Sequence, residues 1–123
     1  MAQHTVDVIA GDGIGTEVVP AAIRCIDALA SVGNFSITWR ERDWGSERFL
    51  RDGAMMPKDG IDQLADGDAI FLGAVGAPEI PDHVSLWGLL IPIRREFLQY
   101  INLRPVRRLP ACRPRSALPT WTR

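Results

Sequence analysis

The spacing of hydrophobic positions changes several times along the chain, and each change predicts an element. Val6, Val8 and Ile9 make a short apolar run ending at Gly11, which predicts a strand. The turn Gly11-Asp12-Gly13-Ile14-Gly15 follows. Val19, Ala22, Ile23, Ile26, Leu29 and Ala30 then recur at helical spacing, so Thr16 to about Ala30 is expected to be an amphipathic helix. Thr16 is its expected N-cap, Glu17 suits the first turn, and Pro20 is tolerable near the start. Gly33-Asn34 ends it. Phe35, Ile37 and Trp39 alternate as a second strand. A short helix over Trp44 to Leu50, the turn Asp52-Gly53, and a helix from Pro57 through Leu64 closed by Asp66-Gly67 come next. Ala69-Ile70-Phe71-Leu72 is a continuous apolar run, as in a buried strand. Pro81 to Trp87 is expected to be irregular, Leu89 to Phe97 helical with Pro92 near its start, and Tyr100, Asn102 and Val106 extended.

The resulting order, β-α-β-α-β-α-β, argues for an α/β sandwich. In such sheets ligands gather outside the carboxyl ends of the strands. The glycine turn, the loop Gly73-Ala74-Val75-Gly76-Ala77-Pro78 and the segment Leu89–Arg107 all fall near such ends. Residues 108–123, RLPACRPRSALPTWTR, show no period and hold three prolines, and are expected to be an unstructured basic tail.

Composition narrows the class. No apolar run approaches the ~18 residues of a membrane span, and the N-terminus lacks the pattern of a secretory signal. Cys25 and Cys112 form no ligand or redox spacing, so a reducing, cytoplasmic setting is expected. The net charge of −1 hides an asymmetry: residues 1–106 carry nine basic and fifteen acidic side chains, whereas 107–123 carry five arginines and no acid. A basic tail can serve an acidic partner, which leaves open a small non-catalytic binding protein. The tail has no interleaved aromatics or helical stripe, so no nucleic-acid role is expected.

Candidate chemistry is sparse. Arg94 and Arg104 lie ten positions apart on different expected elements. Two planar guanidinium forks could hold a small dicarboxylate by both ends, or could be surface charges and structural ion pairs. Gly11-x-Gly13-x-Gly15 invites a dinucleotide reading, but Thr16 stands where the last glycine of that fingerprint belongs, and a strand-to-helix turn explains it better. Asp12 could act as a base or metal ligand, or cap its own turn. The 73–78 loop could bring bare backbone close to a flat ligand. Trp87 and Tyr100 could line a pocket or belong to the core. His4 and His83 are isolated, and no nucleophile set or metal-ligand cluster is visible.

Three segments in order, VIAGDGIGTEVV (8–19), AIFLGAVGAP (69–78) and YINLRPVR (100–107), resemble the β-decarboxylating dehydrogenases, the isocitrate and 3-isopropylmalate dehydrogenase family. SLWGLLIPIRREF (85–97) and DWGSERF (43–49) are most similar to its tartrate/D-malate branch, with an isopropylmalate or isocitrate enzyme as the alternative. The resemblance implies an α/β fold, of which residues 1–107 would be the N-terminal part of the large domain. It implies oxidation of the 2-hydroxyl of a malate-type dicarboxylate, with decarboxylation, by hydride transfer to NAD and with a Mn or Mg ion stabilising the enolate. It implies that Arg94 and Arg104 bind substrate carboxylates, that Trp87 limits the substrate's substituent, and that Ile14, Gly73, Ala74, Val75 and Gly76 border the cofactor. The family is typically homodimeric, with no membrane or nucleic-acid partner. Its members are about three times this length. Catalytic residues and metal ligands are therefore expected outside this chain, which alone is expected to be inactive, and the tail reads as a frameshifted or truncated continuation.

Overall fold

The computed structural model describes residues 2–105; Val106 and the basic tail lie outside the described residues. Three strands, β1 (Ala2–Gly11), β2 (Phe35–Glu41) and β3 (Ala69–Ala74), form a parallel sheet in the order β2-β1-β3. β1 runs from Ala2 opposite Phe35 to Val8 opposite Glu41 on one side, and from Val6 opposite Ala69 to Gly11 opposite Ala74 on the other. The long helix α1 (Gly15–Val32) links β1 to β2. The short helices α2 (Ser46–Asp52) and α3 (Gly60–Ala65) link β2 to β3.

β1 is the spine because it is buried on both faces. Val8 lies beside Val19 of α1 in one cleft, and strand alternation puts Val6 on that same face. Ile9 faces the opposite way, into a core with Trp44, Met55, Leu64, Leu89 and Ile93. Trp39 and Phe71 meet across the sheet with ring centroids 6.2 Å apart.

Several element ends differ from those the pattern predicts, each for a physical reason. β2 continues to Glu41, two residues past its last apolar position, because Arg40 and Arg42 are drawn to a buried acid on β1. α1 begins at Gly15 with Ile14 at the N-cap position, and Thr16 donates its hydroxyl proton back to the Gly13 carbonyl instead of capping. Pro20 sits inside α1 on an exposed face, where the Thr16 carbonyl it leaves unpaired can reach water. Leu29, counted on the core face by its spacing, is exposed. The third helix opens at Gly60 and not at Pro57, whose carbonyl accepts from the Gly60 N–H as the turn before it.

The stretch expected to be irregular before Leu89 is helical. α4 (Asp82–Ser85) passes through a π turn, Leu86–Leu90, into α5 (Ile91–Glu96). The Ile91 N–H reaches the Leu86 carbonyl, one residue farther back than in an α-helix. Pro92 explains the widening: it has no N–H to donate, and its ring would press on the carbonyl four residues earlier. The expected fourth strand does not form within the described residues. Leu98 has φ +51°, the helix closes with the Gln99 N–H on the Arg94 carbonyl, and residues 100–105 run on without strand pairing. Alternation alone does not make a strand; its backbone needs a partner.

Candidate functional site

The glycine turn and the 73–76 loop, 58 residues apart in their closest members, are brought together at the carboxyl ends of β1 and β3. The Asp12 N–H donates to the Ala74 carbonyl at 2.6 Å. Gly11 has φ +74°, and a Cβ there would collide with that same carbonyl. Cβ atoms at Gly15 and Gly73 would each strike the Ala10 carbonyl. Three glycines thus let one strand end, one helix start and one loop pack backbone to backbone. They spend their smallness on protein and not on an open cradle, so a Rossmann phosphate site does not fit this turn.

Ile14 stands 60% exposed beside this junction. Gly73, Ala74 and Val75 are half-buried, Val75 packs against the main core, and Gly76 is exposed. The Asp12 side chain does not cap its own turn. Its two oxygens accept the Ser46 N–H (2.8 Å), the Ser46 hydroxyl (2.6 Å) and the Gly76 N–H (2.8 Å).

Sequence reasoning missed a second polar centre. Asp7, wholly buried on β1, accepts Nε and Nη2 of Arg40 at 3.1 and 2.6 Å and Nε of Arg42 at 2.8 Å. The hydrogen bond to Asp7 raises the Arg40 pKa above its ordinary value. Arg42 also donates to the Gln63 side chain and carbonyl, and its guanidinium lies 5.8 Å from the Trp44 ring centre. Gly67 has no side chain because a Cβ would enter the Asp7–Arg40 pair. The available signal was two arginines spaced by two, one on a strand and one just past its end, facing a lone acid inside an apolar strand.

Beyond the ends of β1 and β2 lies a cavity of about 240 Å³ lined by residues including Asp12, Asp43, Trp44, Arg48 and Arg51. Arg51 contacts Asp43 and Asp52, each at 2.9 Å. The Arg51 hydrogen bond holds the Asp52 carboxyl below its ordinary pKa.

The arginine segment is less assembled. Arg94, on α5, borders a cavity of about 120 Å³ with Ile70, Leu72, Leu90, Ile93 and Gln99. Arg104 is exposed, lies outside that cavity, and donates from Nε to Asn102 at 3.2 Å. Trp87, 62% exposed on the π turn, borders a different groove of about 350 Å³ with Phe49, Met55, Met56 and Pro57. Arg94, Arg104 and Trp87 therefore do not share one cavity within the described residues, whereas the turn that carries Ile14 is bonded through Asp12 to Ala74 and Gly76.

A profile of the isocitrate/isopropylmalate dehydrogenase family matches residues 5–120. The chain belongs to this family. It is 48% identical over 115 residues, 93% of its length, to an Agrobacterium vitis protein named "Probable tartrate dehydrogenase/decarboxylase", covering 32% of that protein. It is 51% identical over 104 residues to D-malate dehydrogenase [decarboxylating] of Escherichia coli strain K12, covering 83% of this chain and 29% of that one. An apo crystal structure of a β-decarboxylating dehydrogenase from Thermococcus kodakarensis superposes with TM-score 0.59 at 28% identity, over 79% of this chain and 27% of that one. The chain thus spans about a third of the length of the curated relatives it matches.

The family is one of decarboxylating dehydrogenases, and the parallel α/β sheet agrees with it. Among the described residues, no group of three or more His, Cys, Asp or Glu side chains is placed to hold a metal ion. No helix of the described residues is long and apolar enough to cross a membrane.

Proposed function

We propose that this chain supplies the N-terminal part of an NAD- and divalent-metal-dependent oxidoreductase of the tartrate/D-malate type. The observation that carries the reading is the junction at the strand ends, where the turn bearing exposed Ile14 is bonded through Asp12 to Ala74 and Gly76. Ligands of α/β sheets collect at such ends. The names of the relatives supply the substrate class, a small 2-hydroxy dicarboxylate.

In this reading Ile14 offers an apolar surface to the cofactor, and the 73–76 loop offers close backbone to its flat ring. Arg94 and Arg104 bind the substrate carboxylates through charge-assisted hydrogen bonds. Trp87, exposed and bulky, restricts the substituent carried by the malate. The cofactor supplies hydride acceptance at the substrate's C2. The metal ligands and proton-transfer groups are assigned to sequence outside the described residues. The working enzyme is a cytoplasmic homodimer.

The test joins residues 1–105 to the remaining length of the E. coli relative, in place of its matching segment. The joined enzyme is expected to reduce NAD with D-malate or tartrate in the presence of Mn and to work poorly on 3-isopropylmalate and isocitrate. The 123-residue chain alone is expected to show no turnover, because catalysis requires all the reacting groups to be positioned together. A folded joined enzyme that prefers 3-isopropylmalate or isocitrate would move the reading to that branch of the family. Turnover by the short chain would refute the division of labour.

A further inference from the structure

Asp12 is the one residue of the glycine turn whose side chain reaches two other loops. It is half-buried, and it accepts three hydrogen bonds: two from Ser46, which opens α2, and one from the Gly76 N–H at the far end of the 73–76 loop. On the other side, its own N–H holds the Ala74 carbonyl. The loop is thus gripped at two points two residues apart, once by the backbone of residue 12 and once by its side chain. Gly45 allows this approach, because its φ is +154° and a Cβ would come within 2.9 Å of an Asp12 oxygen. Apart from this carboxylate, Gly76 is exposed, and a Cβ placed on it meets nothing within 4 Å. Val75 packs against the core, but packing does not hold Gly76 itself, and the carboxylate does.

We infer that Asp12 is a positioning residue: it sets the height and orientation of the 73–76 loop against the glycine turn and ties that loop to the start of α2. The inference rests on the reading of the loop as the cofactor's neighbour. It assigns Asp12 neither metal binding nor proton transfer. A carboxylate suits the task because all three partners are donors and it accepts only. An amide in the same place offers one acceptor oxygen, and its NH2 would face a donor.

The test is amide hydrogen exchange on the 123-residue chain and its Asp12→Ala and Ser46→Ala variants. Asp12→Ala, which removes both acceptor oxygens, is expected to speed exchange at Gly76 and Ser46 by about tenfold or more, the scale of a lost hydrogen bond to a charged group. Amides of the β1–β2 ladder should keep their rates. Ser46→Ala should leave Gly76 protected, since the Asp12 bond to Gly76 remains. Unchanged exchange at Gly76 in Asp12→Ala would overturn the inference. So would equal acceleration of Gly76 by Ser46→Ala, or uniform acceleration along the sheet, either of which marks general loosening. A second readout uses the joined enzyme described above. Asp12→Ala should raise KM for NAD several-fold with KM for D-malate held within about twofold, a split that simple destabilisation does not produce. A freed Gly76 amide with an unchanged KM for NAD upholds the positioning role and refutes the cofactor reading of the loop.

Discussion

The two ends of this molecule are built to different standards. At the carboxyl ends of β1 and β3, the glycine turn, the 73–76 loop and α2 are tied together by short backbone and carboxylate hydrogen bonds. Across residues 82–105, the buried positions Leu89 and Ile93 fix the helical run to the core, but the polar side chains that matter for the proposed chemistry stand apart. The difference teaches where local sequence is sufficient. A strand end, a helix start and a glycine loop are mutual neighbours by topology, so they complete one another. A pair of arginines on a helix and on an extended segment, proposed here to bind carboxylates, needs a frame to face them toward a common ligand.

The comparison can be broken most forcefully at Asp7. Asp7→Ala removes a wholly buried carboxylate and strands two arginines that are only partly exposed. A loss of about 3–5 kcal/mol in urea unfolding is expected, and a loss under 1 kcal/mol would show that the β1–β2 centre is not held by this pair. Leu89→Ala attacks the other end, where it should cost about 2–5 kcal/mol by opening a cavity beneath the π turn. Gly73→Ala tests the backbone packing at the loop: its Cβ meets the Ala10 carbonyl and the Val19 side chain, and a cost of about 1–3 kcal/mol is expected.

The smallest expected effect is on pH dependence. Asp52 is held below its ordinary pKa of 3.8, chiefly by its hydrogen bond from Arg51. The folded state therefore favours the charged form. Its contribution is fully present above the ordinary value and is lost as pH falls through the lowered one. Asp52→Asn should flatten the acid limb of a stability–pH curve slightly; an unchanged limb would show the pair to be inert, as many exposed pairs are.

Much of the architecture was legible in the periodicity. The strand run at Val6–Ile9, the long helix and the α/β class follow from apolar spacing; Ala69–Leu72 also forms a strand, but its apolar run, expected to be buried, lies at the sheet edge with Ala69 and Leu72 exposed. The glycine turn was legible as a strand-to-helix junction, since Thr16 spoils the dinucleotide fingerprint. Features set by partners distant in sequence were not legible. Asp7 reads as a polar gap in a strand until Arg40 and Arg42 are seen beside it. Asp12 reads as a turn cap until Ser46 and Gly76 arrive. The π turn hid behind Pro92, which marks a helix start by rule and here marks a widened turn inside one. The alternation through Tyr100 and Asn102 suggested a strand that no neighbouring backbone completes among the described residues.

The most direct test of the account is the split of kinetic constants in the joined enzyme, measured for Arg104→Met beside Ile14→Ser. The account assigns one end to substrate and the other to cofactor. Arg104→Met should lower kcat/KM for D-malate by about a hundredfold, with KM for NAD nearly unchanged. Ile14→Ser should raise KM for NAD with KM for D-malate nearly unchanged. If both variants move the same constant, or if Arg104→Met leaves D-malate oxidation intact, the division between a cofactor edge and a substrate segment is contradicted.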